Sequence, residues 1–327
     1  MSWWPLIKVL PVKTNLHFVA FARYAAALSA VLVIASLVGV FYPGLNMGID
    51  FRGGASMEVS KPAGQAVGLD NLREAVQELG LGDVQVQGIA RRDTNVDDGS
   101  TAILRFQIPE GRDQVQVVNQ VETAVTGAVG AVTYSGVSVV GSKVSGELFS
   151  SGLLALAAAV ALMFAYIWFR FEPQFGFGAV AGLLHDVILV FGLIVLLRLE
   201  FSLNMVAAIL TVIGYSMNDT VVVFDRLREN LRKYKTMPLR EVIDLTINEV
   251  LTRTIITGVT AVMVLAALAI YGGEALRGFS IALMFGIIVG TYSSIYVGAP
   301  IILLWGVKRG ELADDAKPIK LGMASRP

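Results

Sequence analysis

The chain has 327 residues, of which 55% are hydrophobic and only 16% charged, and its formal net charge is zero. Its mean hydropathy is +0.66, which is too apolar for the surface of a soluble domain of this size, so the composition predicts an integral membrane protein. Cysteine is absent, which excludes disulfides and cysteine–metal sites. The two histidines, His17 and His185, are too few for a histidine-rich metal site. We therefore expect no metal or other cofactor.

The N-terminal part predicts a cytoplasmic, interfacial segment over residues 1–21 and a first membrane span over 22–42. Aromatic and basic side chains in and just after the segment suit the headgroup layer and hold this end of the span in the cytoplasm: Trp3, Trp4, Lys8, Lys13 and Arg23. A cleaved signal peptide is the alternative. The apolar stretch exceeds the ~7–15 residues of a signal core, which favours a retained span.

Residues 43–147 are polar and mixed in charge, and predict the only large extramembrane domain of the chain. Asp70 is expected to cap its first helix, and Asp97-Asp98-Gly99 to form a hairpin turn. The order βαββαβ predicts an α+β, ferredoxin-like domain, a fold that names no function by itself. The predicted elements are strands 55–60, 83–90, 101–108 and 131–140, and helices 69–79 and 111–128.

A glycine-rich junction precedes this domain, in the sequence GIDFRGG at 48–54. We interpret Gly48, Asp50, Gly53 and Gly54 as hinge or junction residues, because glycine adopts backbone angles closed to other residues. A phosphate-binding loop is the alternative, but no glycine motif of the nucleotide-binding kind opens a helix here.

Five further spans follow, for six in total, and form a bundle over residues 148–304. Loop 225–252 and tail 305–327 are rich in lysine and arginine, which predicts that both are cytoplasmic. Both termini then lie inside the cell, and the extramembrane domain lies across the membrane. The predicted spans are 148–169, 176–197, 202–224, 254–271 and 279–304.

Charged and polar groups inside these spans are the candidate functional residues. Asp219 and Asn218 interrupt the fourth span, and an intramembrane carboxylate costs about 2.5–3.5 kcal/mol on insertion scales, so it indicates function by default. Arg253 lies at a similar expected depth in the fifth span and is a candidate partner for Asp219. A purely structural role for Asp219, joining helices or staying hydrated near the interface, remains the alternative.

The third span holds His185 and Asp186, and the sixth holds Ser293. These three residues are either part of a relay or a hydrogen-bonded group that packs the third span against its neighbours. Paired glycines, Gly178 with Gly182 and Gly286 with Gly290, predict close helix contacts.

Several motifs together resemble the SecD/SecF family of bacterial protein export, within the resistance-nodulation-division superfamily of proton-driven transporters. They run through most of the chain: GIDFRGG at 48–54, LHDV at 184–187, IGYSMNDTVVVFDRLREN at 213–230, RTIIT at 253–257 and GTYSSIY at 290–296. The chain departs from the family pattern at Arg52 and Ala55, where threonine is frequent, and at 140–148, which lacks a proline.

The resemblance implies use of the proton-motive force in late, ATP-independent steps of export across the bacterial inner membrane. It assigns proton coupling to Asp219 and Arg253, with protons as the coupling ion and no other cofactor, and we add the neighbouring Asn218 as a third candidate for proton coupling. The implied partners are a separate SecD chain, the SecYEG translocon, YajC, unfolded precursor polypeptide on the periplasmic side and membrane lipid, without nucleic acid.

Two other functions remain as alternatives. One is a proton-coupled small-molecule exporter of the same superfamily, although such exporters usually carry two large external domains and about twelve spans. The other is an intramembrane aspartyl protease, in which Asp186 and Asp219 would share a proton. The sequence contexts Leu-His-Asp and Met-Asn-Asp do not match those of such proteases. We therefore expect no enzymatic activity.

Overall fold

The computed structural model describes residues 14–82, 84–89, 98–109 and 111–305. The interfacial residues Trp3, Trp4, Lys8 and Lys13, the turn residue Asp97 and the tail beyond 305 lie outside the described residues. The elements in chain order are α1 (Phe18–Phe41), β1 (Asn46–Met47), α2 (Ile49–Arg52), β2 (Gly54–Ser60), α3 (Leu69–Gln77), β3 (Val84–Gly88), β4 (Thr101–Phe106), α4 (Gln114–Val129), β5 (Thr133–Val140), α5 (Ser142–Arg170), α6 (Pro173–Leu196), β6 (Glu200–Phe201), α7 (Leu203–Lys233), α8 (Leu239–Tyr271), α9 (Glu274–Ser293), a π-helix (Ser294–Gly298) and α10 (Ala299–Trp305).

Six helices in the described part of the chain are long and apolar enough to cross a membrane. They are α1, α5, α6, α7, α8 and the combined segment of α9 to α10. The sequence prediction of a six-span α-helical membrane protein is therefore confirmed. Helices α6 and α7 are buried on much of their surface and form the centre of the bundle, whereas α1, α5 and α8 are largely exposed.

The domain between the first two spans is a four-stranded sheet of order β3-β4-β2-β5, antiparallel throughout, with α3 and α4 packed on one face. The predicted βαββαβ arrangement is thus confirmed. Its core consists of apolar side chains from alternate strand positions and from one face of each helix, among them Met57, Leu72, Leu104, Phe106 and Val121. The other face of the sheet is directed at the membrane bundle, since Ser56, Glu58 and Arg105 line a cavity together with bundle residues.

The expected cap at Asp70 is wrong. Gly68 occupies the N-cap of α3 with φ of +77°, and Asp70 lies in the first turn, paired with Arg73 at 3.1 Å. Only glycine adopts such a backbone angle without strain, so the helix begins two residues earlier than a side-chain cap at Asp70 would set. The second helix of the domain does have a side-chain cap, because Asp113 accepts from the N–H groups of Val115 and Gln116.

The segment 225–252, predicted to be a loop, is mostly helical. Helix α7 continues to Lys233 and α8 begins at Leu239, so the connection is short. One of the charges that suggested a loop joins the two helices instead: Arg226 contacts Glu229 on α7 and Glu249 on α8, both within 2.7 Å. Pairs three residues apart stabilise exposed helices, so the charged residues extend the helices beyond the apolar core.

The sixth span is not one regular helix. It changes from α9 into a π-helix at Ser294–Gly298 and continues as α10 from Ala299. Pro300 explains the change, because its missing N–H and its ring are incompatible with a regular bond to the carbonyl four residues earlier. Such π-segments are frequent at functional sites, and this one directly follows the polar residues of α9.

Candidate proton-coupling site

Two carboxylates lie buried within the helix bundle: Asp219 on α7, 7% exposed, and Asp186 on α6, fully buried. The sequence around each aspartate does not by itself determine where its carboxylate lies in the bundle. Each carboxylate is surrounded by hydroxyl groups from other helices, which provide the hydrogen bonds that a buried acid requires.

Asp219 accepts two hydrogen bonds from threonines of different helices. Thr254 of α8 donates to Oδ1 at 3.2 Å, and Thr291 of α9 donates to Oδ2 at 3.4 Å. Both bonds are long, and both donors are neutral hydroxyl groups. These hydroxyl groups can bind the charged carboxylate, and no cation contacts it among the described residues. The carboxylate therefore lies at the meeting point of three helices.

The structure does not bring Arg253 and Asp219 together as an ion pair. Arg253 is exposed on α8, next to Thr254, and is in none of the ion pairs among the described residues. Successive helical residues point about 100° apart, so the helix can direct only one of the two neighbours at Asp219, and it directs the threonine. The arginine remains one residue away, on the outer surface of the bundle.

Asn218 also points away from the site. It is exposed, lines a groove between α5 and α7 and makes no hydrogen bond with the residues that the structure describes. Of the three residues predicted to take part in proton coupling, only Asp219 is therefore buried within the bundle.

Asp186 is the centre of a second polar cluster, and its partners include two of the predicted residues. Ser293 of α9 donates to Oδ2 at 2.7 Å, and Ser216 of α7 donates to the same oxygen at 2.5 Å. His185 Nδ1 lies 2.9 Å from Oδ1. The predicted group of His185, Asp186 and Ser293 is thus brought together, and it joins α6 to α7 and α9.

A chain of hydrogen bonds continues from His185 to the first span. His185 Nε2 lies 3.1 Å from Ser29 Oγ, which lies 3.0 Å from the hydroxyl of Tyr292, and that hydroxyl donates to the carbonyl of Ala25 at 2.8 Å. Because Tyr292 uses its only proton on Ala25, Ser29 must donate to Tyr292 and His185 must donate to Ser29. The hydrogen bonds thus link Asp186, through His185, Ser29 and Tyr292, to the backbone of α1.

Three consecutive residues of α9 connect these groups. Thr291 contacts Asp219, Tyr292 contacts the first span, and Ser293 contacts Asp186. The π-helix begins at the next residue. A rotation or shift of α9 at this point would change the hydrogen bonds of both carboxylates at once.

Glycines allow the helices to approach closely around the two clusters, as predicted. A side chain on Gly286 would overlap Val212 of α7, and a Cβ on Gly290 would lie 3.0 Å from Cβ of Ser216. On the other side, a Cβ on Gly178 would lie 2.7 Å from the carbonyl oxygen of Gly298. The hydroxyls reach the buried acids because these contacts are tight.

The glycine-rich junction forms a joint between the external domain and the bundle. Strand β1 pairs in parallel with β6, and Asp50 accepts a hydrogen bond from the N–H of Leu203 at the start of α7. A Cβ on Gly48 would lie 2.6 Å from Oε1 of Glu200, so a side chain there would require Glu200 to move. Gly54 has φ of +122° and lies against the carbonyl of Phe106, so it also excludes other residues.

An ion pair spans this joint. Arg105 of β4 contacts Glu200 of β6 at 2.5 Å, with 14% and 29% of the two side chains exposed. Burial raises the pKa of Glu200, Arg105 acts against that rise, and the nearby Asp50 adds to it. Sequence analysis missed this pair, because residues 95 positions apart leave no local pattern. It also missed Ser29 and Ser216, for which the only signal is a hydroxyl within an apolar span.

Comparison with known proteins agrees with this architecture. Residues 120–308 match the family model of the protein export membrane protein SecD/SecF, C-terminal, and residues 41–60 match that of the SecD/SecF GG motif. The protein translocase subunit SecF of Cereibacter sphaeroides is 44% identical over 313 residues, which are 95% of this chain and 96% of that protein. The chain belongs to the SecD/SecF family.

Other family members give the same result. The protein translocase subunit SecF of Rhodobacter capsulatus is 43% identical over 94% of both chains. The crystal structure of SecDF, a translocon-associated membrane protein from Thermus thermophilus, has a TM-score of 0.78 and 31% identity, and covers 90% of this chain. A second structure, SecDF in a super-membrane-facing form, has a TM-score of 0.61 and 30% identity. The chain spans about two fifths of those SecDF chains, with 39% and 40% covered.

Proposed function

We propose that this chain is a SecF-type subunit of the Sec protein translocase, and that it uses the proton-motive force in late, ATP-independent steps of protein export. The names of its relatives support the first part. The second part rests on one observation: Asp219 is a buried intramembrane carboxylate whose described hydrogen-bond partners are two neutral hydroxyls from two other helices. An ionisable residue within a membrane span costs free energy, so it is rarely present there without a function.

In this mechanism Asp219 takes up a proton from one side of the membrane and releases it to the other. The charged form needs its hydroxyl donors, whereas the neutral form does not, so loss and gain of the proton changes the preferred positions of α8 and α9. Moving one charge through the membrane potential supplies about 2.3 kcal/mol per 100 mV, enough to shift a balanced equilibrium by more than tenfold. Arg253, one position from Thr254, would favour the charged form when α8 rotates it inward.

The proposal includes a partner that completes the site. The SecDF chains are more than twice the length of this chain, and their coverage of 39% and 40% leaves room for a second bundle. We propose that a separate SecD chain supplies that bundle, and that SecYEG, YajC and unfolded precursor polypeptide are further partners. The protein would lie in the bacterial inner membrane with both termini in the cytoplasm and its ferredoxin-like domain in the periplasm.

The two alternatives receive less support from the geometry. An aspartyl protease needs two carboxylates that share a proton, but Asp186 and Asp219 bind different hydroxyls and are not hydrogen-bonded to each other in the described structure. A small-molecule exporter would need an internal substrate cavity. The two apolar cavities described along the spans, between α8 and α9 and between α5 and α7, are instead grooves open to the outside of the bundle.

The test is export into membrane vesicles with and without an imposed proton gradient. Asp219→Asn keeps the shape of the side chain but cannot titrate, so it should assemble with SecD normally and lose the gradient-dependent part of export. Asp225→Asn, on the same helix but at its paired, exposed end, is the matched control and should keep the response. If Asp219→Asn responds to the gradient like the wild type, Asp219 has a structural role and the proposal is wrong.

A further inference from the structure

The start of α1 is held by a side chain of α8, at the end of the bundle opposite the external domain. Helix α1 begins at Phe18, and His17 at its N-cap makes no side-chain capping bond with this helix. The N–H of Val19, the second residue of α1, donates instead to Oδ1 of Asp244 at 2.9 Å. A capping side chain normally accepts from the second or third N–H of a helix. Asp244 therefore caps α1 from a different helix.

The residue before the N-cap is held through its backbone. The side-chain amide of Asn248 accepts from the N–H of Leu16 at 3.0 Å and donates to the carbonyl of Leu16 at 2.9 Å. The same amide donates to the carbonyl of Asp244 at 2.7 Å, which fixes its orientation. Asp244 and Asn248 are four residues apart and therefore share one face of α8. We name the contacts of these two residues with Leu16 and Val19 the N-terminal clasp.

The N-terminal clasp ties α8 to a helix that is itself fixed to the bundle. The ring of Phe18 packs edge-to-face on Tyr296 of the π-helix, with ring centres 6.2 Å apart. Further along α1, Ser29 is hydrogen-bonded to His185 and Tyr292. These contacts join α1 to α6 and to the sixth span. The clasp therefore sets the position of α8 relative to both.

The clasp also sets the rotation of α8 about its own axis. Helix α8 is continuous over 33 residues, so its first turns and its middle rotate together. At about 100° per residue, Arg253 points about 180° away from Asp244, and Thr254 about 80° away. With the clasp closed, Thr254 reaches Asp219 and Arg253 is exposed. Replacing the threonine by the arginine requires a turn of about 100°, which carries Asp244 away from the N–H of Val19.

We propose that Asp244 and Asn248 are positioning residues, which act through the N-terminal clasp to hold α8 in the rotation that presents Thr254, rather than Arg253, to Asp219. The inference rests on the proposed function, in which α8 turns Arg253 toward that acid. The clasp then opens when α8 turns and closes when it returns. The segment before α1 thereby biases which state of the proton-coupling site is occupied.

The rotation of α8 is measured as a distance between two spin labels, by electron paramagnetic resonance on the full-length chain in lipid bilayers. The chain has no cysteine, so Phe21→Cys on α1 and Ile256→Cys on α8 introduce the only labelled positions, and both are exposed. A turn of about 100° moves the Cα of residue 256 by about 3.5 Å, and the attached label by more. The chain with an intact clasp should give one main distance.

Two substitutions open the clasp and two serve as controls. Asp244→Ala removes the cap, and Asn248→Ser breaks the pair with Leu16. Both should raise the share of a second distance, about fivefold for loss of the cap. Asp244→Asn keeps an oxygen that accepts from Val19 and should resemble the wild type, because asparagine caps as well as aspartate. Glu241→Ala removes an acid from the exposed first turn of α8 and should also resemble the wild type.

Two results of this measurement would overturn the proposal. One is the wild-type distance alone in both Asp244→Ala and Asn248→Ser. The other is a second distance in Asp244→Asn, which would assign the effect to charge instead of the cap. A chain that fails to fold would give a broad distribution rather than a second distance. Asn248→Ser leaves the cap in place, so its result decides if Asp244→Ala does not fold.

The consequence for the proton-coupling site is measured by export into vesicles with and without a proton gradient. Asp244→Ala should reduce the gradient-dependent part of export about fivefold, in line with the shift in rotation, whereas Asp244→Asn should retain it. A changed distance with an unchanged gradient response would overturn the positioning role. If Asp219→Asn keeps its response, the proposed function fails by itself, and the spin-label distances still decide whether the clasp sets the rotation of α8.

Discussion

Asp50 of the glycine-rich junction accepts a hydrogen bond, at 2.9 Å, from the backbone N–H of Leu203, the first residue of α7. The segment that leads into the external domain therefore caps the helix that carries Asp219. Added to the β1–β6 pairing, this contact fixes the start of α7 to the domain. A movement of the domain would therefore displace α7, the helix that carries the proposed proton-coupling residue.

The first prediction concerns this cap. Asp50→Ala removes the only side-chain acceptor described at the start of α7, and loss of a helix cap costs about 0.5–2 kcal/mol. Amide hydrogen exchange over the first turn of α7 should accelerate accordingly. Asp70→Ala is the control, because Asp70 lies in an exposed first turn of α3, and its effect should stay within that helix. Unchanged exchange at the start of α7 in Asp50→Ala would show that the contact does not stabilise the joint.

The second prediction is a pH dependence of the joint between domain and bundle. The pKa of Glu200 is raised in the closed joint, chiefly by burial, so the closed form binds a proton more readily than an open form with the ordinary value of 4.5. The joint should be most stable at low pH and lose stability as the pH rises from about 4.5 through the raised pKa. Hydrogen exchange of β6 measures this opening.

Substitutions separate the causes of that pH dependence. Glu200→Gln cannot ionise, so its exchange in β6 should vary little with pH. Arg105→Met removes the cation that opposes the rise in the pKa of Glu200, so the pH-dependent range should extend to higher pH. Glu147→Gln, on an exposed face of α5, should behave like the wild type. An unaltered profile in Glu200→Gln would assign the pH dependence to another group.

The third prediction addresses helix packing. A larger side chain at Gly286 would overlap Val212, and overpacking costs about 1–3 kcal/mol, so Gly286→Val should lower the SDS concentration at which the bundle unfolds. Gly214→Val, on α7 with open space around it, is the matched control and should unfold near the wild-type midpoint. Similar midpoints for both variants would mean that the bundle can repack around Gly286.

The fourth prediction distinguishes the roles of the two buried acids. Asp186→Asn places an amide among two serine donors and His185, and a mismatched buried group costs about 1–3 kcal/mol, so the bundle should become less stable. We expect export into vesicles by the folded fraction of this variant to keep its response to the proton gradient. Asp219→Asn should show the opposite pattern, with stability retained and the response lost. If Asp186→Asn instead folds normally and loses the response, Asp186 belongs to the proton pathway.

The sequence allowed the membrane topology and the domain fold to be predicted, because long apolar runs and alternating strand patterns are local signals. The ends of α7 and α8 were not predictable in the same way. The charged residues of segment 225–252 suggested a solvent-exposed loop. The chain is helical there instead, with ion pairs of Arg226 to Glu229 and Glu249. The cap of α3 was missed because the positive φ of Gly68 cannot be read from its neighbours.

The candidate site was predictable only in part. Asp219 and Asp186 were evident, since acids in apolar spans are rare. The partners of Asp219 were not, because Thr254 and Thr291 are distant in the sequence and their contacts with Asp219 depend on how three helices pack. The suggested pairing of Asp219 with Arg253 rested on matched depth, but depth does not determine the direction in which a side chain points. The threonine beside the arginine occupies that place instead.

Helix α7 has no proline and continues without a break for 31 residues, about 46 Å at 1.5 Å per residue. We expect it to act as a stiff rod, with its first residue held by Asp50 and its C-terminal part by the ion pairs of Arg226. We expect displacement along its axis to be transmitted to its other end, whereas the sixth span can adjust locally at the π-helix that follows α9. Mechanical work done on the external domain would therefore reach the opposite membrane surface through α7, while local adjustment at the buried acids takes place in α9.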